Sequence, residues 1–375
     1  MPFPKNTCSL NDCLTGTPSS SHLGILNRYR DLYALPEEYP VVTLGEGNTP
    51  LIPAQRLSRC LGVPGLKVYL KYEGLNPTGS FKDRGMTYAV SQAKADGAEM
   101  VICASTGNTS AAAAAYATRA GMKALIIIPE GKIALGKLSQ ALMYGATIVE
   151  IQGNFDQALD LVRELGELSP KLAIVNSINP YRLLGQQSGA FEIADVLGDS
   201  PDYFFIPVGN AGNITAYWAG FNRYHQLGKV SKLPTMMGYQ AEGAAPLVHG
   251  HPIAKPETVA TAIRIGNPAS WQGAMDAKTQ SNGHIDAVSD EAILHAYHCL
   301  ARHEGVFCEP ASAASVAGLF QAVKEGRVPP NSTVVCILTG NGLKDPDNAV
   351  AVGATGVERV TLPPDKDKIA HFFGL

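Results

Sequence analysis

The chain has 375 residues, 45% of them hydrophobic and 17% charged, enough to bury a sizeable core and to build two domains. Its 30 basic and 33 acidic residues are mixed along the chain and sum to −3, which excludes the electrostatic footprint of a nucleic-acid or anionic-membrane binder and leaves a small molecule as the expected partner. Apolar runs such as Ala124 to Pro129 are too short to span a bilayer, and seven cysteines without a Cys-x-x-Cys pair fit reduced thiols in a cytoplasmic protein rather than a disulfide frame or a zinc site.

Residues 1–22 are rich in Ser, Thr, Pro and Asn, lack both an apolar signal core and the arginines of a transit peptide, and read as a loose tail carrying Cys8 and Cys13. From about residue 66 short β-rich runs alternate with longer helical segments, the pattern of a parallel sheet wrapped by helices and hence of the α/β class. Strands are predicted at 66–72, 100–104, 124–129, 147–151, 173–177, 203–208, 235–241 and 333–338. Helices are predicted at 82–95, 108–120, 134–144, 154–168, 182–197, 213–227, 289–304 and 311–325, the second helped by the alanine run Ala111 to Ala115.

Ligands of open α/β sheets bind beyond the carboxyl ends of strands, and four polar, glycine-containing clusters fall there or just after: Asn76 to Gly85, Ser105 to Ser110, Gly209 to Asn213 and Thr339 to Lys344. In the first, Pro77 and Gly79 set a turn, Ser80 is a candidate N-cap and Lys82 falls in the first turn of a helix. A cation there opposes the helix dipole, so the Lys82 pKa is expected to be depressed, which suits an amine that must be neutral to form a Schiff base and later take protons. A solvated surface lysine is the plain alternative.

Gly209-Asn210-Ala211-Gly212-Asn213 joins an apolar strand to a helix, and its small residues let backbone N–H groups converge on one phosphate. It lacks both the dinucleotide fingerprint and the P-loop lysine, and a simple tight turn is its structural alternative. Ser105-Thr106-Gly107-Asn108-Thr109 can receive a carboxylate at a helix start, or serve only as a cap. Thr339 offers one neutral hydroxyl at a strand end.

At these four clusters, and at Leu44 to Leu51, Lys71 to Pro77 and Pro207 to Asn213, the sequence resembles the threonine synthases, a branch of the tryptophan-synthase-β group of pyridoxal-phosphate enzymes, from about His22 to beyond Lys344. The tetraglycine loop and Ser-x-Gly-Asn-His segment usual in threonine and serine dehydratases are absent, as are the Thr-Ser-Gly-Asn-Thr and Gly-Thr-Gly-Gly-Thr segments of cysteine synthases.

The resemblance implies pyridoxal-phosphate fold type II, two open twisted α/β sheets, with a larger cofactor-binding domain from 23–81 plus 183–375 and a smaller inserted mobile domain at 82–182. It implies pyridoxal 5'-phosphate held by Lys82 as a Schiff base, Asn108 at the phenolic oxygen, Gly209, Asn210, Ala211, Gly212 and Asn213 as the phosphate cup, and Thr339 at the pyridine nitrogen. With a hydroxyl there and no counter-charge, that nitrogen is expected to stay largely unprotonated. Ser105, Thr106 and Thr109 are implied for the substrate α-carboxylate, and Asn176 and Arg182, with Lys71 as a third candidate, for a substrate phosphate. The reaction implied converts O-phospho-L-homoserine and water to L-threonine and phosphate, in a homodimer by the family's habit. S-adenosylmethionine activation is not expected with so short a tail. A dehydratase, which needs no second phosphate pocket, and a non-catalytic homologue are the competing readings.

Overall fold

The computed structural model describes residues 23–131, 135–353 and 360–375, so the tail with Cys8 and Cys13 lies outside the described residues. Among the described residues, ten strands form two sheets. The first contains β1 (Leu51–Pro53), β2 (Lys67–Tyr72), β7 (Tyr203–Pro207), β8 (Thr235–Ala241), β9 (His284–Val288) and β10 (Thr333–Leu338), in the order β1-β2-β10-β7-β8-β9. The second contains β3 (Met100–Ala104), β4 (Lys123–Pro129), β5 (Thr147–Ile151) and β6 (Leu172–Ile174), in the order β5-β4-β3-β6. Every pairing is parallel except β1 with β2.

The two strands that the sequence pattern misses are both edges. β1 lies between Pro50 and Pro53, where a proline's missing N–H costs no ladder bond, and β9 reads His-Ile-Asp-Ala-Val, too polar for a buried run. Central strands are apolar because helices cover both faces: Leu70, Phe205 and Cys336 have no exposed surface, and a fully buried side chain of the Leu or Phe type contributes about 1.5–3 kcal/mol. The alanine run Ala111 to Ala115 is also wholly buried, so these alanines give close packing against β3 and β4 besides their helix propensity.

The strand order places the functional loops. β2, β10 and β7 are neighbours, so the segments leaving their carboxyl ends, Glu73 to Lys82, Thr339 to Lys344 and Val208 to Asn213, run side by side. β3 and β6 are neighbours in the other sheet, which joins the Ser105 loop to the Asn176–Arg182 segment.

The helix expected over 182–197 is two helices, Pro180–Gln186 and Ser188–Leu197. It begins early because Asn179 caps Tyr181 N–H and Pro180 takes the first turn, and it breaks where the Ser188 hydroxyl donates to Gly185 O at 2.7 Å. The first half crosses the Lys82–Ala95 helix through facing glycines: a Cβ on Gly185 would stand 2.0 Å from Arg84 O, and one on Gly85 2.8 Å from Arg182 O. Gly185→Ala is therefore expected to force the two helices apart at a cost of about 1–3 kcal/mol or more, with a parallel fall in kcat/KM because Lys82 and Arg182 ride on them. A urea midpoint and activity both unchanged would show that the crossing relaxes freely.

Candidate active site

Lys82 is the first residue of the Lys82–Ala95 helix. Phe81 occupies the cap position, while the Ser80 hydroxyl accepts Lys82 N–H at 3.3 Å, so Ser80 steadies the turn from one residue further out than expected. Thr339 O accepts Phe81 N–H at 3.0 Å, and Ser80 bridges to Gly340, which sews the lysine segment to the end of β10. Asp83 clasps the turn from inside: its carboxylate accepts Thr78 N–H at 2.9 Å and Thr78 Oγ1–H at 2.8 Å, and burial pushes its pKa up to about 7.

The Lys82 pKa lies well below the usual lysine value. Burial is the main cause, the Arg182 charge adds to it, and Glu309 partly opposes both. Arg182 is 1% exposed; its Nη1 donates to Val175 O at 3.3 Å, and its buried Nε has no hydrogen-bond partner among the described residues. Burial pushes the guanidinium down to about 10, still charged at neutral pH. A second buried cation whose field reaches the amine lowers the amine's pKa and leaves a place for an anion.

Asn176 lies beyond β6, which is shorter than expected, and grips β3: Oδ1 accepts Ala104 N–H at 3.1 Å and Nδ2 donates to Ala104 O at 3.0 Å. An amide nitrogen has a second hydrogen, so it can still serve a phosphate. Gly107 caps the helix Asn108–Ala120 with its N–H on Ser105 Oγ at 3.2 Å, leaving Ser105, Thr106 and Thr109 around its N-terminus, where backbone N–H groups and the dipole favour an anion.

In Gly209–Asn213, Ala211 has φ +64°, an unusual left-handed conformation for a residue with a Cβ, and it turns the loop into the helix Gly212–Gln226. Asn210 is tied outward, its O accepting Ser270 N–H at 3.1 Å. A Cβ on Gly209 would come 3.1 Å from Ile263 Cα. Asn213 is buried with both amide atoms lacking partners among the described residues. Orphaned donors at a helix N-terminus, behind a strand end that faces a depressed-pKa lysine, fit an aldehyde cofactor with one phosphate.

Three residues here escaped the sequence reading. Glu309, 4% exposed, accepts from Asn108 Nδ2 at 3.3 Å on each carboxylate oxygen and from Thr339 Oγ1 at 3.4 Å. Ser312 Oγ lies 3.0 Å from Thr339 Oγ1 and accepts Gly340 N–H at 3.0 Å. A carboxylate just before Pro310 at a helix start was the available signal. Arg84 is the third: its guanidinium pairs with Glu73 at 2.6 Å and Glu192 at 2.7 Å, and Glu192 also holds Lys71 at 2.8 Å.

Lys71 is a correction. It was a candidate for a substrate phosphate, but strand alternation turns it to the face where Glu192 packs, and its ammonium is engaged there and with Thr49 O at 2.7 Å. The hydrogen bonds from Asn108 to Glu309 and from Lys344 to Gln140 tie helices that follow strands of the second sheet to segments flanking the first.

The family model for pyridoxal-phosphate dependent enzymes matches residues 42–340, and the chain belongs to that family. Its cofactor is pyridoxal 5'-phosphate. Within the family it is 57% identical to the threonine synthase of Synechocystis sp. over 100% of this chain and 97% of that one. It is 59% identical to the threonine synthase of Halalkalibacterium halodurans, over 92% and 95%. The fold is that of processed threonine deaminase isoform 2 from Solanum lycopersicum, with a TM-score of 0.70, 23% identity, and 88% and 89% of the chains covered.

Proposed function

We propose that the chain converts O-phospho-L-homoserine and water to L-threonine and phosphate, as a threonine synthase. The observation that carries the reading is Arg182, a buried cation beside Lys82 whose Nε lacks a partner, where a phosphorylated substrate needs a charge and an unphosphorylated one does not.

Pyridoxal phosphate supplies, when bound, an aldehyde that captures amines and a ring that accepts the electrons left at Cα. Lys82 holds the cofactor through its Nζ. Asn108 would donate the second hydrogen of its amide nitrogen to the phenolic oxygen while the first stays on Glu309, and Gly209, Asn210, Ala211, Gly212 and Asn213 would cup the phosphate with backbone and amide N–H groups. Thr339 faces the ring nitrogen. Ser105, Thr106 and Thr109 hold the substrate α-carboxylate at the helix N-terminus. As a free amine, Lys82 Nζ would take the proton from Cα and then one from Cβ, and return protons to Cγ and Cα, so that the hydrogens balance. Its depressed pKa suits this, because burial and the Arg182 charge favour the neutral amine, the form that can take a proton. Arg182 and the second Asn176 N–H hold the substrate phosphate as it leaves Cγ, and water adds at Cβ.

Proton transfers by one amine at successive carbons require a site closed to water. In this reading 82–182 is the smaller domain, closing on the larger one, 23–81 plus 183–375. The bonds from Asn108 to Glu309 and from Lys344 to Gln140, which each join 82–182 to the rest of the chain, support closure along that line. The protein works in the cytoplasm as a homodimer. The free thiols of Cys60, Cys103, Cys299, Cys308 and Cys336 support a reducing compartment, and the mass of the particle in solution tests the dimer.

Incubation of the purified enzyme with phosphohomoserine, with threonine, 2-oxobutanoate and phosphate quantified, tests the function: threonine and phosphate should appear in equal amounts. 2-Oxobutanoate as the main product would return the dehydratase. Arg182→Ala should lower kcat/KM for phosphohomoserine by one to two orders of magnitude, since a charge-assisted hydrogen bond is worth about 1.5–3 kcal/mol. Cofactor content should hold, and any deamination of unphosphorylated serine or threonine should fall much less. Equal losses on both substrates would make Arg182 structural.

A further inference from the structure

We propose that Glu309 is the hidden counter-charge of the cofactor's ring nitrogen, sharing one proton with it through the Thr339 hydroxyl. The inference rests on Thr339 facing that nitrogen, as read above, and it revises the expectation that a hydroxyl there leaves the nitrogen without a counter-charge.

The hydrogen bonds set the direction. Gly340 N–H donates to Ser312 Oγ at 3.0 Å, so one lone pair of that oxygen is taken. The Ser312 proton then has two acceptors, Thr339 Oγ1 at 3.0 Å and Gly340 O at 3.4 Å, and the shorter contact is to Thr339. With Ser312 donating to it, Thr339 Oγ1 has its own proton and one lone pair left. Glu309 Oε1 stands 3.4 Å away and the ring nitrogen takes the remaining side. Such a hydroxyl can pass a proton either way. In one state Glu309 is a neutral acid donating to Thr339 Oγ1, which donates to an unprotonated nitrogen. In the other the Glu309 O–H bond breaks as an Oγ1–H bond forms, the Thr339 O–H bond breaks as an N–H bond forms, and a carboxylate faces a pyridinium. No further reactant is needed.

Burial gives the arrangement its strength. Glu309 is 4% exposed and Thr339 5%, so the ion pair is formed away from water, where charges interact strongly, and the neutral state avoids the cost of an isolated buried carboxylate. The carboxylate is seated closely against Gly340: a Cβ there would stand 2.3 Å from Glu309 Oε1. Glu309 also accepts both contacts from Asn108, so one side chain links the groups placed at the phenolic oxygen and at the ring nitrogen. Glu309 acts as a positioning residue: it makes the ring a stronger electron acceptor at the moment Lys82 takes the Cα proton, and needs no aspartate at position 339.

The test uses holoenzyme reconstituted with pyridoxal phosphate carrying nitrogen-15 in the ring, read by solid-state nitrogen NMR. In the unmodified enzyme the ring signal should be displaced from the free-base position toward the pyridinium position. Glu309→Gln, which keeps shape and removes the exchangeable carboxyl proton, should return it toward the free base. Thr339→Val should do the same, the double variant should add nothing, and Thr339→Ser should restore the original shift. A free-base signal in the unmodified enzyme overturns the proposal without any variant. Glu309→Gln leaving the signal in place while Thr339→Val moves it overturns the role of Glu309 alone, and a signal unmoved by either overturns the placement of Thr339 as well.

Discussion

Lys82→Ala is expected to abolish turnover while leaving the protein folded and somewhat more stable without cofactor. Proton transfer by a positioned side chain is worth about 10²- to 10⁴-fold, and the proposed function also makes Lys82 the covalent anchor, so a loss of about 10⁴-fold or more is expected. Stability should move the other way. A lysine at the start of a helix opposes the dipole, an effect of about 0.3–1 kcal/mol, and this one is also desolvated. Its folded pKa lies below its unfolded value, so the unfolded chain binds the proton more tightly, and the wild-type apoprotein gains stability as pH rises toward the unfolded lysine value. The advantage of Lys82→Ala should therefore be present at neutral pH and shrink toward about pH 10. Urea midpoints of both apoproteins across that range check the sign. Borohydride reduction followed by peptide mapping checks the anchor, and a cofactor-labelled peptide from the variant would give the role to another lysine.

The largest stability effect is expected at Glu192→Gln. Arg84, Lys71, Glu73 and Glu192 are each 2% exposed or less and carry two charges of each sign. Burial alone would raise the Glu192 pKa, but the Arg84 and Lys71 charges and their hydrogen bonds outweigh it and hold the carboxyl well below its usual range. The isosteric amide leaves two buried cations facing one carboxylate, and breaking a buried pair in this way costs about 3–5 kcal/mol. A depressed carboxylate contributes stability above its unfolded pKa and loses it as pH falls toward the folded value. The gap between wild type and variant should thus be full at pH 7 and narrow below about pH 4.3. Arg84 lies two residues beyond Lys82, so cofactor occupancy should fall as well. A gap under about 1 kcal/mol at pH 7 would show that the cluster relaxes by admitting water.

Much of the candidate site is legible in the sequence because its parts are local. Lys82 sits among Pro77, Gly79 and Ser80, whose backbone preferences set the turn, and Gly209 to Asn213 holds its small residues in one run between a strand and a helix. The parallel architecture is equally local, since apolar runs alternate with helical ones. β1 and β9 are not legible, because edge strands carry no continuous apolar signal, nor is the break at Gln187, which depends on the Ser188 hydroxyl finding the Gly185 carbonyl.

The sequence by itself determined the α/β class and the family to look for, and it singled out Lys82 and Gly209 to Asn213 as the candidate cofactor lysine and phosphate loop, since each depends on residues close together in the chain. Only the tertiary structure decided that Lys71 serves Glu192 instead of a substrate, that Glu309 and Ser312 stand behind Thr339, and that Gly185 lets the helix bearing Arg182 lie against the one bearing Lys82. The reason is that the partner of a buried charge or hydroxyl is chosen by strand order and helix crossing, which bring together residues more than twenty, and in places more than a hundred, positions apart.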